Sequence, residues 1–267
     1  SAPAAYLLLI LVGLLFLTLA LRLLRLGYAE FHEDEAEALM LGVRLFQGED
    51  YALFLHRKGP AQMLAPLAVW LFSGRITETL ARLPFVLSSC LSVVSLFLIG
   101  RRWFGRPAAG LLAAGLWAIN GYAIAFGRMA QYQALIFFLG PLAIYCLYLA
   151  WQERRPGLQI VAAILLAVCL LAHFDAVLLL PAAAYLAWQG VRGMKNEDGN
   201  AAPEYRSRLI YGAIALLLFV GLLAAFYVPY LLDPEFKNTA GYLAGSRVKP
   251  GLLYNILSLL YHLDQTY

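Results

Sequence analysis

The sequence predicts an all-α membrane protein of about seven transmembrane helices, with a long first outer loop carrying amphipathic juxtamembrane helices. Three observations predict it. The 267 residues are 62% hydrophobic and only 13% charged. A soluble globular domain is roughly 45–50% apolar and about 25% charged, so the apolar surplus exceeds what one core can bury. Apolar runs of about the 20 residues that a helical span needs recur along the chain. The clustered basic residues fall in short connections at 101–107, 152–156 and 190–208, and such an excess marks cytoplasmic loops. This composition excludes a soluble enzyme, a disordered tail and a collagen-like chain. Only Lys58, Lys195, Lys237 and Lys249 of the 20 basic residues are lysine. That bias points to a GC-rich, prokaryotic genome, and the apolar runs to its plasma membrane.

The first span is 4–26. No charged segment precedes it and no small-residue cleavage site follows it, so it reads as a span and not a leader. Arg22 and Arg25 fall near its outer end, where they must snorkel or face an anionic group. Residues 27–79 form the outer loop. Within it, 59–73 is apolar but short, and Pro66 should break its hydrogen-bond ladder in the middle. Counting it as a crossing would put 101–106 on the opposite side from the other two basic loops, so it reads as interfacial or re-entrant. Spans follow at 80–100, 108–126 and 129–151. The stretch 158–188 is longer than one span needs and is interrupted at His173-Phe174-Asp175. It reads as two short helices meeting at one membrane face, because an Asp at mid-membrane costs about 2.5–3.5 kcal/mol on insertion scales. The last span is 209–232, which leaves the N-terminus in the cytoplasm and 233–267 as an outer tail. Leu252, Leu253, Ile256, Leu257 and Leu260 share one face of an amphipathic helix at 251–263. The organisation is therefore 1–26, 27–79, 80–232 and 233–267, and the chain is expected to be the N-terminal part of a longer protein. Cys90, Cys146 and Cys169 lie inside apolar runs without paired spacing and read as packing residues.

The most informative segment is His32-Glu33-Asp34-Glu35-Ala36-Glu37, followed by Leu39, Met40, Val43 and Phe46 at helical spacing. The acids thus open an amphipathic helix beside the membrane. Asp34 as N-cap with Glu37 three residues on would make a capping box. A carboxylate held by backbone N–H groups stays ionised and oriented, which suits a general base for a hydroxyl acceptor. In the same loop, His56-Arg57-Lys58-Gly59-Pro60 places donors beside a turn. There Lys serves as a point charge and Arg as a fork for phosphate oxygens, unless the cluster is only a basic patch facing headgroups. Arg128, Tyr132, His173 and Asp175 fall on the same outer side. Ionisable residues at membrane depth are functional hypotheses, although Arg128 alone could anchor at the interface and His173 with Asp175 could simply cap a helix. Glu33 and Asp34 offer oxygen ligands to a divalent metal, but no recognisable ligand spacing accompanies them. The cofactor is therefore left open between a metal ion and none.

This order of residues resembles the GT-C glycosyltransferases, closest to their protein-mannosyltransferase and aminoarabinose-transferase branch. The likeness rests on Asp34-Glu35 after a first span, Lys58-Gly59-Pro60 before a short apolar helix, 80–84, the Arg101-Arg102-Trp103-Phe104-Gly105-Arg106 loop, and Arg128 before an aromatic-rich helix. It covers about residues 5–190. It implies an integral membrane enzyme that transfers a sugar from a polyprenyl-phosphate donor to a hydroxyl of a lipid, glycan or protein acceptor on the extracytoplasmic face. The resemblance places the catalytic carboxylate at Asp34, with Glu35 beside it and Lys58 near the donor phosphate. His56, Arg57, Arg128, Tyr132, His173 and Asp175 become candidates for binding substrate. Two departures stand out. Gly59-Pro60 replaces the usual pair of prolines, and Gln131 and Gln133 replace an acid on the turn after Arg128. No nucleic-acid partner is expected. The competing classes are a flippase for a lipid-linked sugar, which needs the basic residues but no base, and a non-enzymatic membrane scaffold.

Overall fold

The computed structural model describes residues 2–27, 30–56, 58–192 and 205–242. Among them there are only helices and turns. In chain order these are α1 (Ala2–Leu23), α2 (Glu33–Phe46), α3 (Ala52–Leu55), α4 (Ala61–Ser73), α5 (Glu78–Trp103), α6 (Pro107–Ile119), α7 (Gly121–Gly127), α8 (Tyr132–Gln152), α9 (Leu158–Ala172), a 3-10 turn (Phe174–Leu179), α10 (Leu180–Arg192), α11 (Tyr205–Leu232) and α12 (Pro234–Tyr242). The chain divides into a main unit, 1–226, and a small unit, 227–267. In the small unit the Tyr230 hydroxyl meets the Thr239 hydroxyl at 3.0 Å and its ring abuts Phe236. The amphipathic tail expected at 251–263 and most of the basic connection 190–208 lie outside the described residues.

Four helices, α1, α5, α8 and α11, are long and apolar enough to cross a membrane, and α6 with α7 makes a fifth as a bent pair. The expectation of an unbroken span over 108–126 is corrected here. The chain turns by 63° between α6 and α7, because Asn120 leaves the helical region and its side chain accepts the Ala123 N–H at 2.9 Å, capping a new helix. The 158–188 stretch does break where His173 interrupts it. At 15 residues α9 measures roughly 22 Å, shorter than a hydrocarbon core of about 30 Å.

Helices α5 and α8 form the interior, with α6, α9 and α4 against them; α2 packs on α4 and, through Leu39, on α5, and α3 packs on α2. Close packing depends on small residues. Gly110, Ala114 and Ala118 form a stripe at four-residue spacing on α6, the small-xxx-small pattern of membrane helix pairs. A Cβ on Gly110 would fall against the Phe97 carbonyl and ring. Cys90, Cys146 and Cys169 are buried among such residues. Hydroxyls supply the polar contacts: Trp117 Nε1 donates to Ser92 Oγ at 2.6 Å, and Ser95 to the Phe138 carbonyl at 3.4 Å. The C-terminal ends of α5 and α8 meet through Arg102 and Glu153 at 2.8 Å. Two of the basic loops therefore share one end of the bundle.

Three further expectations change. Pro66 does not break α4, which runs through it. Met63, Pro66 and Trp70 are buried against α2 and α5, and that burial offsets the one missing N–H. On α2 the buried residues are Glu35, Ala38, Leu39, Leu41 and Gly42, while Met40 is exposed. Arg22 does not snorkel, and the partners it meets among the described residues are neutral. It is fully buried and donates to Ser89 Oγ (2.6 Å), to the Thr18 carbonyl (3.3 Å) and to the Ala118 carbonyl (3.1 Å). The break at Asn120 ends the α6 ladder, and the guanidinium serves the Ala118 carbonyl there.

The α5–α6 packing yields a direct test. Gly110→Ala should cost about 1–3 kcal/mol by overpacking and lower the thermal unfolding midpoint in detergent by several degrees. At Gly115 an added Cβ meets only Leu14 at 3.9 Å, so Gly115→Ala should leave the midpoint unchanged or raise it.

Candidate functional site

The end of the bundle opposite Arg102 is organised around a buried carboxylate. Glu35 lies in the first turn of α2 and is fully buried. Its Oε1 accepts from Arg82 Nε at 2.8 Å and from the Ala130 N–H at 2.7 Å. Its Oε2 accepts from Arg82 Nη2 at 3.0 Å and from the His32 N–H at 3.3 Å. Arg82, in the first turns of α5, also donates to the Leu26 carbonyl (2.8 Å) and the Glu30 carbonyl (3.2 Å) and lies over the Phe31 ring. This ionic group joins α2, α5, the chain leaving α1 and the turn before α8. Leu39, Trp70, Ala81, Phe85, Ala130, Ala134 and Ala172 pack together as its apolar floor.

The pair also corrects the capping pattern. His32, not Asp34, is the N-cap: its backbone is extended and its Nδ1 accepts the Asp34 N–H at 3.3 Å. Glu35, not Glu37, returns to the N-cap N–H. The helix starts two residues earlier than expected because Arg82 fixes Glu35 in the first turn.

Asp34 is presented to solvent by the same turn. Its side chain is 52% exposed and lies 3.1 Å from Lys58 Nζ, whose side chain is 15% exposed. Such a pair contributes about 0–1 kcal/mol, so it orients both groups without trapping either. Lys58 comes close because Gly59 packs on the end of α9, where a Cβ would collide with the Leu171 carbonyl. That close approach explains why glycine stands here. The ammonium lies 5.8 Å from the centre of the Tyr132 ring, which stacks on His173 with centroids 3.7 Å apart and 8° between planes. His173 in turn lies against Phe174 at 4.0 Å. The Tyr132 hydroxyl donates to Asp175 at 3.2 Å, and His173 Nδ1 accepts the Asp175 N–H at 3.1 Å, capping the 3-10 turn. Asp34, Lys58, Tyr132, His173 and Asp175, far apart in sequence, thus form one constellation.

Behind it lies His56, 1% exposed. Burial pushes its imidazole down to about 4. Its Nε2 is 3.4 Å from Gln62 Oε1, and Gln62 Nε2 donates to the Ala130 carbonyl at 2.8 Å. Ala130 is therefore held on both sides, by Glu35 at its N–H and by Gln62 at its C=O.

The remaining candidates stand elsewhere. Arg128 donates to the Leu21 carbonyl (3.0 Å) and the Arg25 carbonyl (3.2 Å), capping the end of α1. Arg57 lies outside the described residues. Glu33 is exposed on the first turn of α2. Among the described residues no three His, Cys, Asp or Glu side chains converge as metal ligands. Gln131 is buried. Arg82 and Gln62 were not singled out from sequence. The signal for Arg82 was an arginine in the first turns of an apolar span.

Glu35→Gln should destabilise the protein by about 3–5 kcal/mol, because it leaves the Arg82 charge buried and uncompensated. Glu33→Gln and Glu37→Gln, both at exposed positions, should stay within about 0.5 kcal/mol. Unfolding midpoints in one detergent compare all three.

A family model described as dolichyl-phosphate-mannose-protein mannosyltransferase matches residues 61–223. The matched stretch runs from α4 into α11 and includes Arg82, Ala130, Tyr132, His173 and Asp175. Asp34 and Lys58 precede it. No curated protein and no solved structure matches the chain. The family implies a glycosyltransferase of the GT-C type. With well over half of its length matched, the chain belongs to the dolichyl-phosphate-mannose-protein mannosyltransferase family.

Proposed function

We propose that the chain transfers a sugar from a polyprenyl-phosphate donor to an acceptor hydroxyl at the outer membrane surface, with Asp34 as the general base. The observation that carries this reading is the Asp34–Lys58 contact at 3.1 Å, held above the buried Glu35–Arg82 pair. It sets an exposed base beside a cation. The family's description names dolichyl-phosphate mannose and protein as its reactants. Here the corresponding reactants are a mannosylated polyprenyl phosphate and a lipid, glycan or protein hydroxyl.

In this reaction the acceptor O–H proton passes to Asp34 while the acceptor oxygen bonds to the sugar C1. The C1–O bond to phosphate breaks from the opposite face, inverting the configuration, by analogy with inverting glycosidases. The sugar enters between Asp34 and Lys58, and the ammonium, drawn away from Asp34, meets the charge left on the phosphate. Tyr132 and His173 support Lys58 from below, and Asp175 fixes Tyr132. Glu35 acts as a positioning residue, since both of its oxygens are engaged. Arg128 positions α1, and Arg57 is a further candidate for the phosphate. Counting α6–α7 as one crossing and α9 and α10 as two short ones makes seven spans. The N-terminus and the Arg102–Glu153 end then face the cytoplasm of a prokaryotic cell, and the Asp34 end faces outward.

Asp34→Asn should lower transfer by about 10²–10⁴, the contribution of a positioned general base, while circular dichroism and unfolding stay as in wild type. Transfer at the wild-type rate in that variant removes Asp34 from the chemistry and leaves the flippase and scaffold readings. Lys58→Ala should weaken retention of polyprenyl phosphate in native mass spectrometry by about 10-fold or more. Unchanged retention contradicts the phosphate role.

A further inference from the structure

The His56–Gln62–Ala130 chain fixes a tautomer. Gln62 Nε2 is committed to the Ala130 carbonyl at 2.8 Å, so the amide oxygen faces His56. An oxygen in that place requires His56 Nε2 to carry the proton, which leaves Nδ1 as a bare acceptor. That nitrogen is buried and has no hydrogen-bond partner among the described residues. A buried acceptor without a donor is disfavoured, so native sites supply one. Burial keeps the ring neutral at physiological pH. Protonation therefore does not satisfy the nitrogen, and a donor from outside the ring must. Lys58, His173 and Asp34 all act electrostatically on the imidazole, and through Gln62 it is tied to Ala130, two residues before Tyr132 of the constellation. His56 precedes Lys58 by two residues. The sugar of a lipid-phosphate donor is bonded directly to the phosphate that Lys58 meets.

We infer that His56 Nδ1 accepts a hydrogen bond from a hydroxyl of the donor sugar and so distinguishes the glycosylated lipid from the bare polyprenyl phosphate. This inference rests on the glycosyl-transfer reading above. It adds a specificity residue that is separate from the base and from the phosphate cation. A neutral acceptor suits the task, because an imidazolium there would present only donors and would favour the phosphate itself.

The test compares polyprenyl phosphate with polyprenyl-phosphate mannose in native mass spectrometry of the full chain in mild detergent. Wild type should hold the mannosylated lipid about 10-fold more tightly. His56→Gln, which carries its amide out to the Nε2 position, should bring that ratio near one. His56→Asn places an amide oxygen close to Nδ1 and should retain most of the preference. A preference that survives in His56→Gln, or that is lost equally in both variants, overturns the assignment. Wild type that holds both lipids equally overturns it while leaving the donor-phosphate reading intact, and wild type that holds neither overturns both. Nitrogen-15 spectra of histidine in the wild-type protein need no variant. The Nδ1 resonance of His56 should shift as an acceptor on addition of the mannosylated lipid and not of the bare one. The same shift with both lipids assigns the nitrogen to water or phosphate and contradicts the inference.

Discussion

The carboxylate of Glu35 is the constraint on which this end of the molecule depends. Removing a charge from water costs several kcal/mol even after relaxation, and attraction to a partner repays that cost only when the geometry is good and the remaining lone pairs are satisfied. Glu35 meets both conditions. Arg82 approaches as a two-pronged fork, and two backbone N–H groups, from His32 and Ala130, take the remaining positions. Each donor belongs to a different stretch of chain. The requirement that a buried charge be fully paired therefore becomes a requirement that α2, α5 and the turn before α8 meet in one arrangement. Asp34, one residue away, inherits that order while its own carboxylate stays in contact with solvent.

Broken helices carry the other residues to the same place. The span at 107–127 bends at Asn120, and the stretch after α9 turns at His173. Each break strands backbone carbonyls or amides in or near the membrane, where an unmet group is costly. Polar side chains meet them. Arg22 reaches the Ala118 carbonyl, Arg128 the carbonyls ending α1, and the His173 ring the Asp175 N–H. Cations that look like anion sites in sequence thus serve backbone carbonyls. Gly59 and Gly127 mark the positions of closest approach, where a Cβ would meet Leu171 or Ser89.

The helical character, the break at His173 and the gathering of Asp34, Lys58, Tyr132, His173 and Asp175 were legible in the sequence, because apolar run length and loop position carry that information. What was not legible depends on contacts between distant residues. A capping box at Asp34 and Glu37 has the right spacing, but the Arg82 fork, 47 positions from Glu35, decides which acid turns inward. Pro66 reads as a breaker until the packing of Met63 and Trp70 is known. Asn120 lies in a run apolar enough to pass for an unbroken helix. Arg22 reads as an interfacial cation because sequence does not reveal which carbonyls a bent neighbour leaves exposed. The family match covers the helices that carry Tyr132, His173 and Asp175, and Asp34 and Lys58 lie in the segment ahead of it.

The most direct measurement of this arrangement is hydrogen–deuterium exchange of the backbone over 128–132 in detergent, in wild type and in Arg82→Met. A short turn between helices normally exchanges early. Here the Ala130 amide is bonded to a buried carboxylate, and that carboxylate is oriented by Arg82. The account predicts slow exchange in wild type, on the scale of the α5 interior. It predicts a marked acceleration in the variant, together with the amides at the start of α2. Fast exchange in wild type, or a protected turn that ignores the loss of Arg82, contradicts the claim that Glu35 holds the site together.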